Sequence, residues 1–199
     1  MALSGSLEAL ARVFVAACVG TTEDARRALT AARQSGTSAR EVDEVLLLVI
    51  AYAGVPRAIL AFTEWRQLEP EASDATPIDD RRAAGEKTFE SVYGVRAARI
   101  RAELRGLHPA LHDAIIEDSY GRILARTGLS ASDRELLAVA MLVALGAPRQ
   151  AAAHAIGARR AGAGVDDVLE AVALSAPYRD PDGIAEARRG IAEMLKLAG

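Results

Sequence analysis

The chain has 199 residues, 51% of them hydrophobic but only 4% aromatic, and its 24 basic and 27 acidic residues leave a formal net charge of -3. A core drawn from Ala, Leu, Val and Ile lets helix backbones approach closely and favours compact helical packing over a β sandwich. So small a net charge supplies no field for nucleic acid or an anionic membrane, and neither is expected as a partner. The one cysteine, Cys18, lies in the apolar run VFVAACV; it cannot form an internal disulfide and reads as a small buried hydrophobe. The N-terminus lacks the basic start and long apolar run of a signal peptide. The longest apolar stretch, VLLLVIAYAGV, falls short of the roughly 18 residues that span a bilayer. A soluble, cytoplasmic protein is expected.

Leu7, Leu10, Ala11, Phe14 and Cys18 recur at helical spacing and predict a helix over 6–19. Gly20-Thr21-Thr22 ends it and caps a second, which carries Glu23 and Asp24 in its first turn and runs to about Gly36. Ser38 followed by Glu41 spells a capping box that opens an apolar helix, Val42 to Ala53. Gly54-Val55-Pro56 breaks it, and Pro56 suits the first turn of a fourth helix reaching Leu68. Residues 69–80 (EPEASDATPIDD) are polar and aperiodic, and read as a linker. Beyond it come a helix over 79–92, a short basic helix to Leu104 ended by Gly106, and a helix opened by His108-Pro109 and closed by Gly128. That last helix carries Glu117 and Tyr120, three apart and therefore expected on one face. Ser130 or Ser132 caps the next, up to Gly146, and Pro148 starts another, up to Gly162. Asp166–Ala176 and Asp182–Leu197 complete an all-α chain with no strand pattern.

Sliding the chain by 126 residues lays Gly20 on Gly146, Gly36 on Gly162, Val42 on Val168, Glu44 on Glu170 and Tyr52 on Tyr178 without a gap. This predicts an internal repeat whose glycines cap matching helices. Glu135 then falls opposite Ala9, and His154 opposite Ala28, so any chemistry they carry has one copy.

Several polar residues between 117 and 162 sit where a helical core does not require them. Ser132-x-x-Glu135 is itself a capping box, which would account for Glu135 without chemistry. His154 lies among alanines, where a histidine can be a packing residue or, with its ordinary pKa of about 6.5, a proton shuttle. Arg126 near a helix C-terminus is favoured by the dipole, and can equally clamp a carboxylate through two parallel hydrogen bonds. His108 and His112 are four apart, but no third ligand stands at a metal-binding spacing, so no metal is predicted.

Together these blocks resemble the carboxymuconolactone decarboxylase family, which includes the alkylhydroperoxidase D-like proteins. Glu117-Asp118-Ser119-Tyr120-Gly121 with Arg126-Thr127-Gly128-Leu129 is similar to the family's E-x-x-Y-G-x4-R-P-G-L entry, with Thr127 in place of proline. Arg134-Glu135-Leu136 is similar to its R-E-L helix, and His154 stands at its helix histidine. Tyr52-Ala53-Gly54-Val55-Pro56 is close to its Y-x-G-V-P tail, whereas the second half reads Pro177-Tyr178-Arg179-Asp180 there. The peroxidase branch's C-x-x-C-x-x-x-H is absent; Ala147, Gln150 and His154 stand at those positions, so thiol peroxidase chemistry is not expected.

The resemblance implies a helical bundle of two tandem family units: a degenerate N-terminal unit over 1–68, the linker 69–80, and a C-terminal unit over 81–199. It implies a cofactor-independent lyase acting by acid–base chemistry on a small carboxylated lactone or related acid. Its catalytic residues would be His154, Glu135 and Glu117, with Arg126 and Tyr120 binding substrate. Family assemblies imply a homo-oligomer, such as a trimer of two-unit chains. The alternative from another class is a catalytically silent helical oligomer or ligand-binding module.

Overall fold

The computed structural model describes residues 3–71 and 78–198, and among these all regular structure is helical, with no strand. Residues 72–77 of the expected linker lie outside the described residues. The helices in chain order are α1 (Gly5–Val19), α2 (Thr22–Gln34), α3 (Ala39–Ala53), α4 (Val55–Leu68) and α5 (Arg81–Tyr93). They continue with α6 (Ala97–Leu107), α7 (Pro109–Ala114), α8 (Ala131–Ala144), α9 (Pro148–Arg160), α10 (Val165–Ala173) and α11 (Pro181–Ala198).

Local signals place most of these boundaries. Thr21 and Asp24 close a reciprocal box at the start of α2: the Thr21 N–H donates to Asp24 Oδ2 at 2.8 Å, and the Asp24 N–H donates to Thr21 Oγ1 at 3.1 Å. The Thr21 backbone N–H first, and then the Thr21 hydroxyl, which donates to Asp24 Oδ2 at 2.7 Å, hold the Asp24 carboxyl below its ordinary range. The Ser38 N–H donates to Glu41 Oε2 at 3.3 Å, as the capping pattern predicts. Gly36 and Gly162 take positive φ (77° and 101°) just beyond α2 and α9, a conformation that L side chains resist.

Three expectations fail. Gly106 does not end its helix, which runs on to Leu107. Gly128 closes nothing, because the helix before it ends at Leu124. That helix also changes character: after α7 the stretch Ile115–Leu124 is a π-helix, and the Ala125 N–H donates to the Tyr120 carbonyl five residues back at 2.9 Å. Wider turns move residues three apart off a common face. Tyr120 is accordingly buried, whereas the Glu117 side chain is 41% exposed.

By compactness the chain forms two units, one combining residues 1–74 with 128–199, the other spanning 75–127. In the first, α1 packs on α2, α3 and α8, while α8 packs on α9 and α10. Residues 134–144 of α8 are all buried, which makes it a central helix, apolar nearly all round. Phe14, Leu29, Leu46, Trp65, Leu137 and Met141 fill the space between these helices. Within the second unit, α5 crosses the π-helical stretch at very short range. A Cβ on Gly85 would lie 1.9 Å from the Ile116 carbonyl oxygen, and one on Gly121 would lie 2.0 Å from that of Arg81. Only glycine fits at either point.

Candidate active site

The start of α8 decides how Glu135 is used. Ser130, not Ser132, is the N-cap: the Asp133 N–H donates to Ser130 Oγ at 3.0 Å, and that hydroxyl donates to Asp133 Oδ2 at 2.7 Å. The Ser132–Glu135 capping box predicted as an alternative does not form. As the fifth residue of α8, Glu135 instead points at α9, and its Oε2 lies 3.0 Å from Nδ1 of His154. Each of the two residues is only 6% exposed. The α9 neighbours Ala151, Ala152, Ala155 and Ala158 are small and buried, which leaves room for the imidazole against α8.

The chemistry of such a pair is constrained. An ionised Glu135 accepts hydrogen bonds only, so His154 meets it with an Nδ1–H, and the neutral ring then carries its lone pair on Nε2. A carboxylate that fixes the tautomer and stabilises the imidazolium is the usual way a histidine is made ready to give and take a proton.

Beside it on α8, Arg134 Nη2 lies 3.2 Å from Oε2 of Glu44 on α3. Their side chains are 5% and 4% exposed, so this is a buried ion pair. Gly128 makes room for it, since a Cβ there would fall 2.3 Å from Glu44 Cγ. Close approach, not helix termination, is what requires glycine at that position. The sequence reading did not assign Glu44 or Arg134 to a site. One signal was available: Glu44 sits among Val42, Val45, Leu46 and Leu48, all buried, so its helix position faces the core.

The other three expected site residues belong to the 75–127 unit. Glu117 pairs with Arg82, which also lies 3.3 Å from Asp113 Oδ1. The Asp113 carboxyl is held below its ordinary range by its bond to His112 and then by Arg82. The Tyr120 hydroxyl donates to that of Tyr93 at 3.0 Å, inside an aromatic cluster with Phe89, whose ring centroid lies 4.8 Å from that of Tyr120. Arg126 follows the π-helical stretch and is half-buried. His108 caps α7, its Nδ1 accepting the Ala110 N–H at 3.1 Å, while His112 Nδ1 lies 3.0 Å from Asp113 Oδ1. Among the described residues, no group of three or more His, Cys, Asp or Glu side chains is placed to hold a metal ion. No described helix is long and apolar enough to cross a membrane.

Residues 110–193 match the model of the carboxymuconolactone decarboxylase family. The chain carries a domain of that family. No curated protein matches it in sequence. The family domain contains Glu117, Tyr120, Arg126, Glu135 and His154, and Arg134 as well. Glu44 lies outside it, so a residue beyond the matched stretch supports the first turn of the helix that bears Glu135.

Proposed function

We propose that Glu135 and His154 form the acid–base centre of a cofactor-independent lyase that decarboxylates a small carboxylated lactone or related acid. The observation that supports it is the 3.0 Å contact between His154 Nδ1 and Glu135 Oε2, made by a glutamate that takes no part in its own helix cap. In this reading the bond from ring carbon to carboxylate breaks, CO2 leaves, and the electron pair moves into the conjugated carbonyl as an enolate. Protonated His154 then delivers its proton to carbon as the enolate collapses, and the ring is reprotonated from solvent. Glu135 stabilises the imidazolium in between. A homo-oligomer built from tandem family units belongs to the proposal as well.

The test is CO2 release from a carboxylated butenolide. His154→Gln is expected to lower turnover by about 10²-fold or more, the usual worth of a positioned acid–base group. Glu135→Gln keeps a hydrogen-bond acceptor beside the ring and is expected to lower turnover while leaving the unfolding midpoint close to wild type. Undiminished turnover in His154→Gln would remove the central claim. A second reading, a catalytically silent ligand-binding or oligomeric module, draws on the burial of both groups, since a satisfied buried pair can serve packing alone. It is favoured if the wild-type protein releases no CO2 and both substitutions act on stability only.

A further inference from the structure

In the unit formed by 1–74 and 128–199, an open pocket of about 430 Å3 lies against α1 and α2. Its place in the chain is informative. Displaced by 126 residues, α2 (22–34) covers the same positions as α9 (148–160), and the N-cap Ser4 of α1 falls on the N-cap Ser130 of α8. The same displacement sets Ala9 against Glu135 and Ala28 against His154, and both alanines line this pocket. Where α8 and α9 hold a carboxylate and an imidazole, α1 and α2 hold two methyl groups and empty space.

The lining defines what would fit. Ala9, Ala16, Ala28 and Ala31 make a shallow apolar floor, with Leu174 and Pro177 contributed from the far end of the chain. The charged residues at the rim neutralise one another. Arg12 donates to Glu8 through Nε at 3.1 Å and Nη2 at 2.6 Å, and Arg27 donates to Asp24. No surplus charge is left to hold an ion. Tyr178 is the exception among the polar groups: it is half-buried in the wall, and no described residue hydrogen-bonds its hydroxyl. Burial, and then Asp24, raise the phenol above its ordinary pKa of 10.0, so it is a donor at neutral pH. Gly20 leaves room for that hydroxyl, for a Cβ there would lie 3.0 Å from it.

We propose that this pocket is a second binding site, taking a small uncharged ligand with a flat apolar body and one carbonyl or ether oxygen. The ring lies on the alanine floor and the oxygen accepts from Tyr178. Volumes of this size are typical of small-molecule sites, in which a few polar groups orient a mainly apolar body. The site stands independently of the reaction proposed for Glu135 and His154. It binds without acid–base chemistry because the two positions that would supply it are alanines.

The experiment is an amide-resolved NMR titration of the full chain, with acetophenone as the uncharged probe and benzoate as its anionic counterpart. Acetophenone is expected to shift the amides of Ala28, Ala31 and Leu174 saturably at roughly millimolar concentration, in keeping with a ligand of about nine heavy atoms. Benzoate should bind at least about tenfold more weakly, because its charge finds no counter-ion. Ala28→Phe fills the pocket and should abolish the shifts. Tyr178→Phe, which adds no bulk, should weaken binding about three- to tenfold, the worth of one hydrogen bond. Four results would overturn the proposal: no saturable shift up to about 10 mM, shifts centred on Glu135 and His154, equal binding of benzoate, or binding unaltered by Tyr178→Phe. Exchange protection of these same amides that rises with chain concentration, as a second copy covering the pocket would give, would overturn it too.

Discussion

Replacing Glu44 by alanine tests the buried electrostatics beside the proposed site. In the folded protein Arg134 Nη2 sits 3.2 Å from Glu44 Oε2, with both side chains almost wholly excluded from water. Removing the carboxylate deprives the guanidinium of this counter-charge, while the cation stays desolvated. Breaking one side of such a pair typically costs about 3–5 kcal/mol, far more than the pair is worth relative to an apolar replacement. For a chain of this length each kcal/mol shifts the thermal midpoint by roughly 2–4 °C, which predicts a fall of about 6–20 °C. Arg134→Met should be similarly harmful, because it takes this counter-charge away from a carboxylate whose side chain is 4% exposed. The double variant Glu44→Met with Arg134→Met should return to within about 2 kcal/mol of wild type, since no desolvated charge remains. Urea denaturation of wild type, Glu44→Met, Arg134→Met and the double variant gives the coupling energy directly. A loss below about 1 kcal/mol for Glu44→Ala, or a double variant as damaged as the sum of the singles, would refute the reasoning.

Gly128→Ala pushes a methyl group to 2.3 Å from Glu44 Cγ, and should cost about 1–3 kcal/mol in urea denaturation. In a Glu44→Ala background the same change should be nearly neutral, because the atom it strikes is gone. Gly85→Ala sets a Cβ 1.9 Å from the Ile116 carbonyl oxygen and must force α5 away from the π-helical stretch. A loss of at least about 2 kcal/mol is expected, together with faster amide exchange at Ile116. Burial raises the Cys18 thiol from 9.0 to about 12, so the native thiol should resist a disulfide reagent at pH 8 and react at once in urea. Its linkage to stability has a definite sign. Below pH 9.0 both folded and unfolded thiols are protonated; between there and about 12 the unfolded chain releases the proton that the fold retains, so stability falls as pH rises. Over that window wild type should lose stability more steeply than Cys18→Ala, as followed by circular dichroism.

The sequence by itself determined what short-range physics controls. Periodic apolar residues, the Thr21–Asp24 and Ser38–Glu41 caps, and the prolines at the starts of α4, α7 and α9 act within a few residues of one another, and they give an all-α chain with most of its helix ends. The family's motif blocks were likewise readable, and the matched stretch 110–193 contains those of the second half. The tertiary structure decided matters that depend on distant partners. Two serines could have capped α8, and local sequence did not choose between them; with Ser130 as the cap, Glu135 lies one turn inside the helix and meets His154, 19 residues away in the chain. Glu44 and Arg134 are separated by 90 residues, and neither residue's surroundings announce the other. The π-helical widening, which buries Tyr120 while leaving Glu117 partly exposed, follows no sequence signal, and it coincides with a helix crossing that Gly85 and Gly121 permit. Charge inside a fold is tolerable only where a partner arrives with it. That partner is supplied by packing, so the sequence marks Glu44 as core-facing but leaves the helix assembly to bring Arg134 to it.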